Sequence, residues 1–266
     1  MRVIVTRPGP QAGQWVSALR EAGIDALALP LIEIAGPPDP DAIRAAWRRL
    51  QELDAVMFVS ANAVAQFFAL QPAAAPAFAA DTAEGPRFFV TGPGSLAALL
   101  KSGVPRSQID APDVASAQFD SEALWCLVQA QVRPGWRVLI VRGNTEAGEE
   151  SEPAQGVGRD WFAARLREQG AEVEFLVAYV RRAPVLNANA LALVQVAAAD
   201  GTVWLFSSSE AVTNLCTLAA GQCWSLARAV ATHPRIAQAA GAAGFAVVCE
   251  SRPALVDLLA SIESLA

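Results

Sequence analysis

The sequence predicts an α/β protein of two domains with parallel sheets, and three observations carry that reading. One residue pattern is written twice along the chain. Each copy alternates short β-branched runs with apolar residues at helical spacing. The composition is apolar and weakly charged: 53% of the 266 residues are hydrophobic and 17% are charged. Such a chain is not disordered, and its length suits two α/β cores.

The repeat is the most informative feature. Arg2-Val3-Ile4-Val5-Thr6-Arg7 returns as Arg137-Val138-Leu139-Ile140-Val141-Arg142. The helices that follow end Leu19-Arg20-Glu21-Ala22-Gly23 and Leu166-Arg167-Glu168-Gln169-Gly170. Met57-Phe58-Val59-Ser60-Ala61-Asn62-Ala63-Val64 matches Leu205-Phe206-Ser207-Ser208-Ser209-Glu210-Ala211-Val212. Val90-Thr91-Gly92-Pro93 matches Ala231-Thr232-His233-Pro234, with Gly103 and Gly244 following at the same distance. The second copy carries an additional acidic, Gly-rich stretch, Glu146–Gly158, which reads as an exposed loop.

Each matched segment has the shape of a strand followed by a helix. Val3–Val5 and Val138–Val141 read as buried strands. Polar or Gly/Pro turns come next, then helical spacing, as in Trp15 and Leu19 or Trp161 and Leu166. Gly23 and Gly170 stand at the C-terminal cap position. Alternating strands and helices imply parallel sheets covered on both faces. The proline-bearing segments Leu31–Pro40 and Val177–Leu186 read as crossings between domains. The expected division makes domain 1 discontinuous, residues 1–36 and 184–266, with residues 37–183 as domain 2.

Composition also narrows the function classes. No uninterrupted apolar run approaches the roughly 18 residues of a membrane span. Met1–Pro8 lacks the apolar core of about 7–15 residues that a signal peptide needs. A cytoplasmic protein with no membrane partner is expected. Cys126, Cys216, Cys223 and Cys249 show no CxxC spacing, and His233 is the single histidine, so no metal site is expected. A net charge of −6 argues against nucleic acid as a partner while allowing an anionic small molecule in a locally positive cleft.

Taken in order, a set of motifs resembles uroporphyrinogen-III synthases over essentially the whole chain. These are Val5-Thr6-Arg7-Pro8, Phe58–Val64, Val90–Ser95, Arg142-Gly143 with Gly158-Arg159, Ala178–Arg181 and Phe206–Val212. The resemblance implies two flavodoxin-like domains with parallel sheets, joined by a two-strand linker that forms a short antiparallel ladder. It implies cyclisation of hydroxymethylbilane to uroporphyrinogen III, with loss of water and inversion of the last pyrrole ring. The linear tetrapyrrole would lie between the domains, with no cofactor, and a monomer is expected.

The same resemblance singles out site residues. Tyr179, the only tyrosine, matches the family's cleft tyrosine, which implies a proton donor to the departing hydroxyl; a phenol is protonated at neutral pH. Read without the family, it is a strand tyrosine anchoring the linker. Ser60, Asn62, Ser208 and Ser209 fall at the ends of equivalent strands, where ligands of parallel sheets meet helix N-termini. They serve as substrate contacts or as ordinary N-caps, and the two roles are compatible. Ser95 stands where the family often has a threonine near substrate. Its repeat partner Ile236 departs from that pattern, with Thr232 and Arg235 close by as alternative carboxylate contacts. Arg7, Arg142 and Arg159 also match, and for each a structural role stays open. His233 reads as a loop residue.

Two other readings exist. Gly92-Pro93-Gly94-Ser95-Leu96-Ala97 fits GxGxxA, with Asp110 or Asp113 beyond it, as in nucleotide-binding enzymes. The second copy replaces both glycines with His233 and Arg235, and a proline sits inside the turn. A two-lobed binding protein without catalysis would also suit paired α/β domains, although its periplasmic version carries an export signal.

Overall fold

The computed structural model describes residues 1–73, 85–113, 120–146 and 153–265, with backbone alone at Pro10 and 153–159. The chain divides into two compact units: Met1–Glu33 with Arg182–Ala266, and Ile34–Arg181. It opens with β1 (Arg2–Val5), α1 (Gly9–Glu21) and β2 (Asp25–Ala28), and leaves the first unit through β3 (Glu33–Ala35). The second unit then runs α2 (Pro40–Arg48), β4 (Ala55–Phe58), α3 (Ala61–Ala69), β5 (Arg87–Val90), α4 (Pro93–Lys101) and β6 (Ile109–Asp110). It continues with α5 (Ser121–Val128), β7 (Arg137–Thr145), α6 (Pro153–Glu168) and β8 (Glu172–Arg182). Back in the first unit come α7 (Ala188–Ala197), β9 (Val203–Phe206), α8 (Ser209–Leu218), β10 (Arg228–Ala231), α9 (Pro234–Ala242), β11 (Val247–Glu250) and α10 (Leu255–Glu263).

The first unit's sheet has the order β11-β10-β9-β1-β2, with every neighbouring pair parallel. Counted within that unit, this is the flavodoxin-like order 2-1-3-4-5. The second sheet has the order β3-β8-β7-β4-β5-β6, parallel from β8 through β6. Laying the sequence repeat on these sheets shows an exchange of halves. β7 and β8 occupy the place of β1 and β2, while β4, β5 and β6 occupy that of β9, β10 and β11. The registers agree: Val3 faces Val203 as Val138 faces Ala55, and Val203 faces Arg228 as Ala55 faces Arg87. Each unit therefore combines the first two strands of one repeat with the last three of the other.

Apolar strands form because both faces of each sheet are covered. In β4, Val56 and Phe58 enter one core with Leu139 and Val141, while Ala55 and Met57 enter the other with Val138 and Ile140. In the first unit Val3, Val5, Val203, Leu205 and Val230 share one core. Trp204, Phe206, Trp224 and Phe245 form an aromatic cluster with contacting centroids 5.2–6.4 Å apart. α2 starts where Asp39 accepts hydrogen bonds from the amides of Asp41 and Ala42 and Pro40 occupies the first turn. α1 and α6 stop at Gly23 and Gly170, whose φ values of 84° and 82° put them in the left-handed region.

One expectation is corrected. The last part of Glu146–Gly158 is not loop, because α6 begins at Pro153; residues 147–152 lie outside the described residues, as does the side chain of Arg159. No helix among the described residues is long and apolar enough to cross a membrane.

Candidate functional site

The polar residues singled out above fall at the carboxyl ends of neighbouring parallel strands in each unit. In the second unit, Phe58 ends β4 fully buried and fixes where the chain turns. Truncating such a side chain to alanine costs about 3–5 kcal/mol. Two residues later, Ser60 caps α3: its Oγ accepts from the Ala63 amide at 3.1 Å. The same Oγ lies 3.1 Å from the phenolic oxygen of Tyr179. Tyr179 is 5% exposed, so its ring belongs to the core while its hydroxyl meets the helix start.

An irregularity brings those two side chains together. Up to Arg142 opposite Val177 the ladder of β7 and β8 is regular, and the next pair is Gly143 opposite Tyr179, leaving Ala178 without a partner. A shift of one residue turns a strand's side chains to the opposite face. Without it, Tyr179 would share the face of Val173 and Phe175, which pack against the α6 core. With it, Tyr179 joins Leu176 and Ala178 in the core that also holds Ala63, Val64 and Phe67 of α3. Gly143 completes the arrangement. A Cβ there would stand 2.7 Å from Cε1 of the Tyr179 ring, with Cζ and Cε2 closer still.

The other residues of this unit are less closely associated. Asn62 is half-exposed in the first turn of α3, and Ser95 is buried in the first turn of α4 after β5. Arg142 stacks on Phe175, its guanidinium carbon 4.7 Å from the ring centroid. By strand parity this is the sheet face opposite Tyr179.

In the first unit, β1, β9 and β10 are neighbours, and their tips carry Arg7, Ser208 with Ser209, and Thr232. β1 and β9 flank the point where the strand order reverses, the usual ligand position in open α/β sheets. Ser208 caps α8 by accepting from the Glu210 amide at 3.2 Å. The Oγ of Ser209 is buried without a hydrogen-bond partner. Arg7 lies over Trp15, 4.3 Å from the ring centroid, and its Nε is likewise buried without a partner. Burial pushes the Arg7 guanidinium below its ordinary pKa. Thr232 is half-buried and Arg235 exposed.

His233 is not a plain loop residue: it caps α9, its Nδ1 accepting from the Arg235 amide at 3.1 Å. Its repeat partner Gly92 caps α4 by backbone conformation alone. Sequence reasoning missed Gly143 as a site residue, reading a turn after Val141 where β7 runs on to Thr145; the signal was the glycine after Arg142 together with a lone tyrosine in the adjoining strand. It also missed Thr6, buried beside Arg7, whose Oγ1 donates to the Leu205 carbonyl at 2.8 Å and ties the β1 tip to β9. A hollow lined by Arg2, Asp200, Thr202 and Arg228 lies at the amino ends of these strands, away from the tips. Among the described residues no three of His, Cys, Asp or Glu are grouped to hold a metal.

The flavodoxin-like strand order of the first unit, the same strand positions filled by the exchanged repeat halves in the second, helix starts bearing hydroxyls at the strand tips, and one buried phenol bonded to a cap define a two-unit α/β protein. The family model described as uroporphyrinogen-III synthase HemD matches residues 13–260. The chain belongs to the uroporphyrinogen-III synthase family. A uroporphyrinogen-III synthase of Salmonella typhimurium is 32% identical over 183 residues, covering 68% of this chain and 65% of that protein's length. One of Proteus mirabilis is 29% identical over 185 residues, covering 68% and 80%. The fold is shared with the uroporphyrinogen-III synthetase of Helicobacter pylori, at TM-score 0.60, 14% identity and full coverage of both chains. It is shared too with a mutant uroporphyrinogen III synthase of Thermus thermophilus, at TM-score 0.53 and 15% identity over 100% of this chain and 98% of that one.

Proposed function

We propose that the protein closes hydroxymethylbilane into uroporphyrinogen III, inverting the last pyrrole ring and releasing water. The observation that carries the reading is the Tyr179 phenol, held by Ser60 at a helix start within a chain that belongs to this family. A linear tetrapyrrole presents many carboxylates and one hydroxymethyl group. The pyrrole nitrogen next to that group pushes its electron pair toward the carbon as the C–O bond breaks. Tyr179 donates its proton, and the hydroxyl leaves as water. The substituted carbon of the last ring attacks the resulting azafulvene cation to form a spiro centre. Breaking the older bond at that centre leaves the azafulvene cation on the neighbouring ring. The free position of the last ring closes on it, which reverses the ring, and the proton lost from that position as aromaticity is restored returns to the Tyr179 phenolate.

The protein's part is to fold a flexible chain and assist departure of the hydroxyl. Arg7 and Ser209, each with a buried polar atom lacking an internal partner, are proposed carboxylate contacts. The starts of α3, α4, α8 and α9, with Asn62, Ser95, Ser208, Thr232 and Arg235, supply further amides and side chains. Each helix end favours an anion by roughly 0.3–1 kcal/mol. Both units are proposed to engage one substrate. In this reading Arg142, stacked on Phe175, is a peripheral carboxylate contact. The protein acts as a cytoplasmic monomer without cofactor, nucleic acid or membrane partner.

The test is to supply purified protein with hydroxymethylbilane and separate the ring isomers. Accumulation of the type III isomer is expected, because unassisted closure gives type I. Type I alone, formed at the rate seen without protein, would overturn the proposal.

A further inference from the structure

We infer that Gly143 and Ser60 are positioning residues that hold the Tyr179 phenol from two sides and act through it rather than on substrate. The inference rests on Tyr179 being the proton donor proposed above. From below, the ring lies against the backbone of Gly143, in space that any Cβ would enter, with even Cε1 only 2.7 Å away. A glycine within a strand often marks such a close approach. No left-handed backbone is involved, so the requirement is space for the ring and nothing else. From the side, Ser60 Oγ accepts the Ala63 amide and meets the phenolic oxygen, both at 3.1 Å. With one of its two lone pairs engaged by the amide, the serine can direct its own proton to the phenol oxygen. The chain of donors then runs from the α3 amide through Ser60 to Tyr179, and leaves the phenol's proton free for a departing hydroxyl. A hydrogen-bond chain in one direction polarises each member, and the positive helix start lies at its origin.

Tyr179 is the only tyrosine, so 3-fluorotyrosine labels one site and gives one fluorine NMR resonance. Gly143→Ala and Ser60→Ala are expected to move that resonance and lower kcat about 10-fold, with KM within about twofold. Ser60→Thr, which keeps the hydroxyl, should restore both. In a Tyr179→Phe background, Gly143→Ala should lower kcat no further, since both changes act on one group. An unmoved resonance, or an equal loss in the Tyr179→Phe background, overturns the inference.

Folding is read separately. Gly143→Ala should lower Tm by about 3–10 °C through overpacking. Tyr179→Ala with Gly143→Ala should melt no lower than Tyr179→Ala alone, because no ring remains to meet the Cβ. A lower melting point for that pair also overturns the inference. If Tyr179→Phe by itself keeps full turnover, the donor assignment fails, and the resonance and melting series still decide whether the phenol is held as inferred.

Discussion

Replacing Tyr179 by Phe removes one oxygen atom from the second unit and leaves the ring in its core. The lost contact is the 3.1 Å bond to Ser60 Oγ. Ser60 keeps its cap bond to the Ala63 amide, and being half-exposed it can take water in place of the phenol. The stability cost is therefore that of one neutral hydrogen bond, about 0.5–1.5 kcal/mol. At about 2–4 °C per kcal/mol for a chain of this size, Tm falls by only a few degrees. Catalysis loses more. A positioned general acid contributes about 100- to 10,000-fold at most sites. Because the pyrrole nitrogen itself drives departure of the hydroxyl, the expected loss here is at the lower end, about 10- to 100-fold, equivalent to about 1.4–2.7 kcal/mol of barrier. Substrate binding through carboxylates survives, so KM stays within about twofold. The assay pairs stopped-time isomer separation with a thermal melt on the same preparation. A variant that melts as expected and turns over at the wild-type rate refutes the assignment of Tyr179 as donor.

Two further predictions test the first unit and the electrostatics. Ser209→Ala removes a buried hydroxyl without an internal partner, so Tm should hold or rise, whereas KM should increase if that hydroxyl meets a carboxylate; a clear fall in Tm would show an unrecognised structural bond. Arg49 donates two hydrogen bonds to Glu174 between the end of α2 and β8, and this bond holds the Glu174 carboxyl below its ordinary pKa. A depressed folded pKa adds stability above the unfolded value of about 4.3 that is lost as pH falls through the folded one. The pair is largely exposed, so its contribution is about 1 kcal/mol or less. Glu174→Gln should melt slightly lower than wild type at pH 7, with the difference closing in acid; a difference that widens in acid contradicts the sign.

The strands were legible because burial on both sides writes itself as a run of apolar residues. Val3–Val5, Val138–Val141 and the Met57-Phe58 strand end are all β-strand in the structure. The serine caps at Ser60 and Ser208 were legible for the same local reason: a small polar residue after such a run satisfies the first amides of a helix. What escaped depends on partners distant in sequence. Ser60 and Tyr179 are separated by 119 positions, and nothing near either one announces the other. The unpaired Ala178 is defined only by the register of β7, so the turn of Tyr179 toward α3 is invisible in the β8 sequence. Gly143 looked like part of a turn, and its lack of a side chain matters only once the ring lies on it. Arg142 shares a motif with Gly143 but follows strand parity to the other face, where Phe175 takes its charge. His233 shows the limit of cap rules, since imidazole is seldom counted among N-cap residues and yet accepts the Arg235 amide here.

Hydrogen exchange on the intact chain, with and without uroporphyrinogen III, tests most directly whether both sets of strand tips hold one tetrapyrrole. The first-turn amides of α3 and α8 have no carbonyl within their own helix to bond, so a bound carboxylate should slow them. Slower exchange at both helix starts, with the amino ends of the strands unchanged, is the expected result. Protection confined to one unit, or centred near Arg2, Asp200 and Arg228, would contradict it.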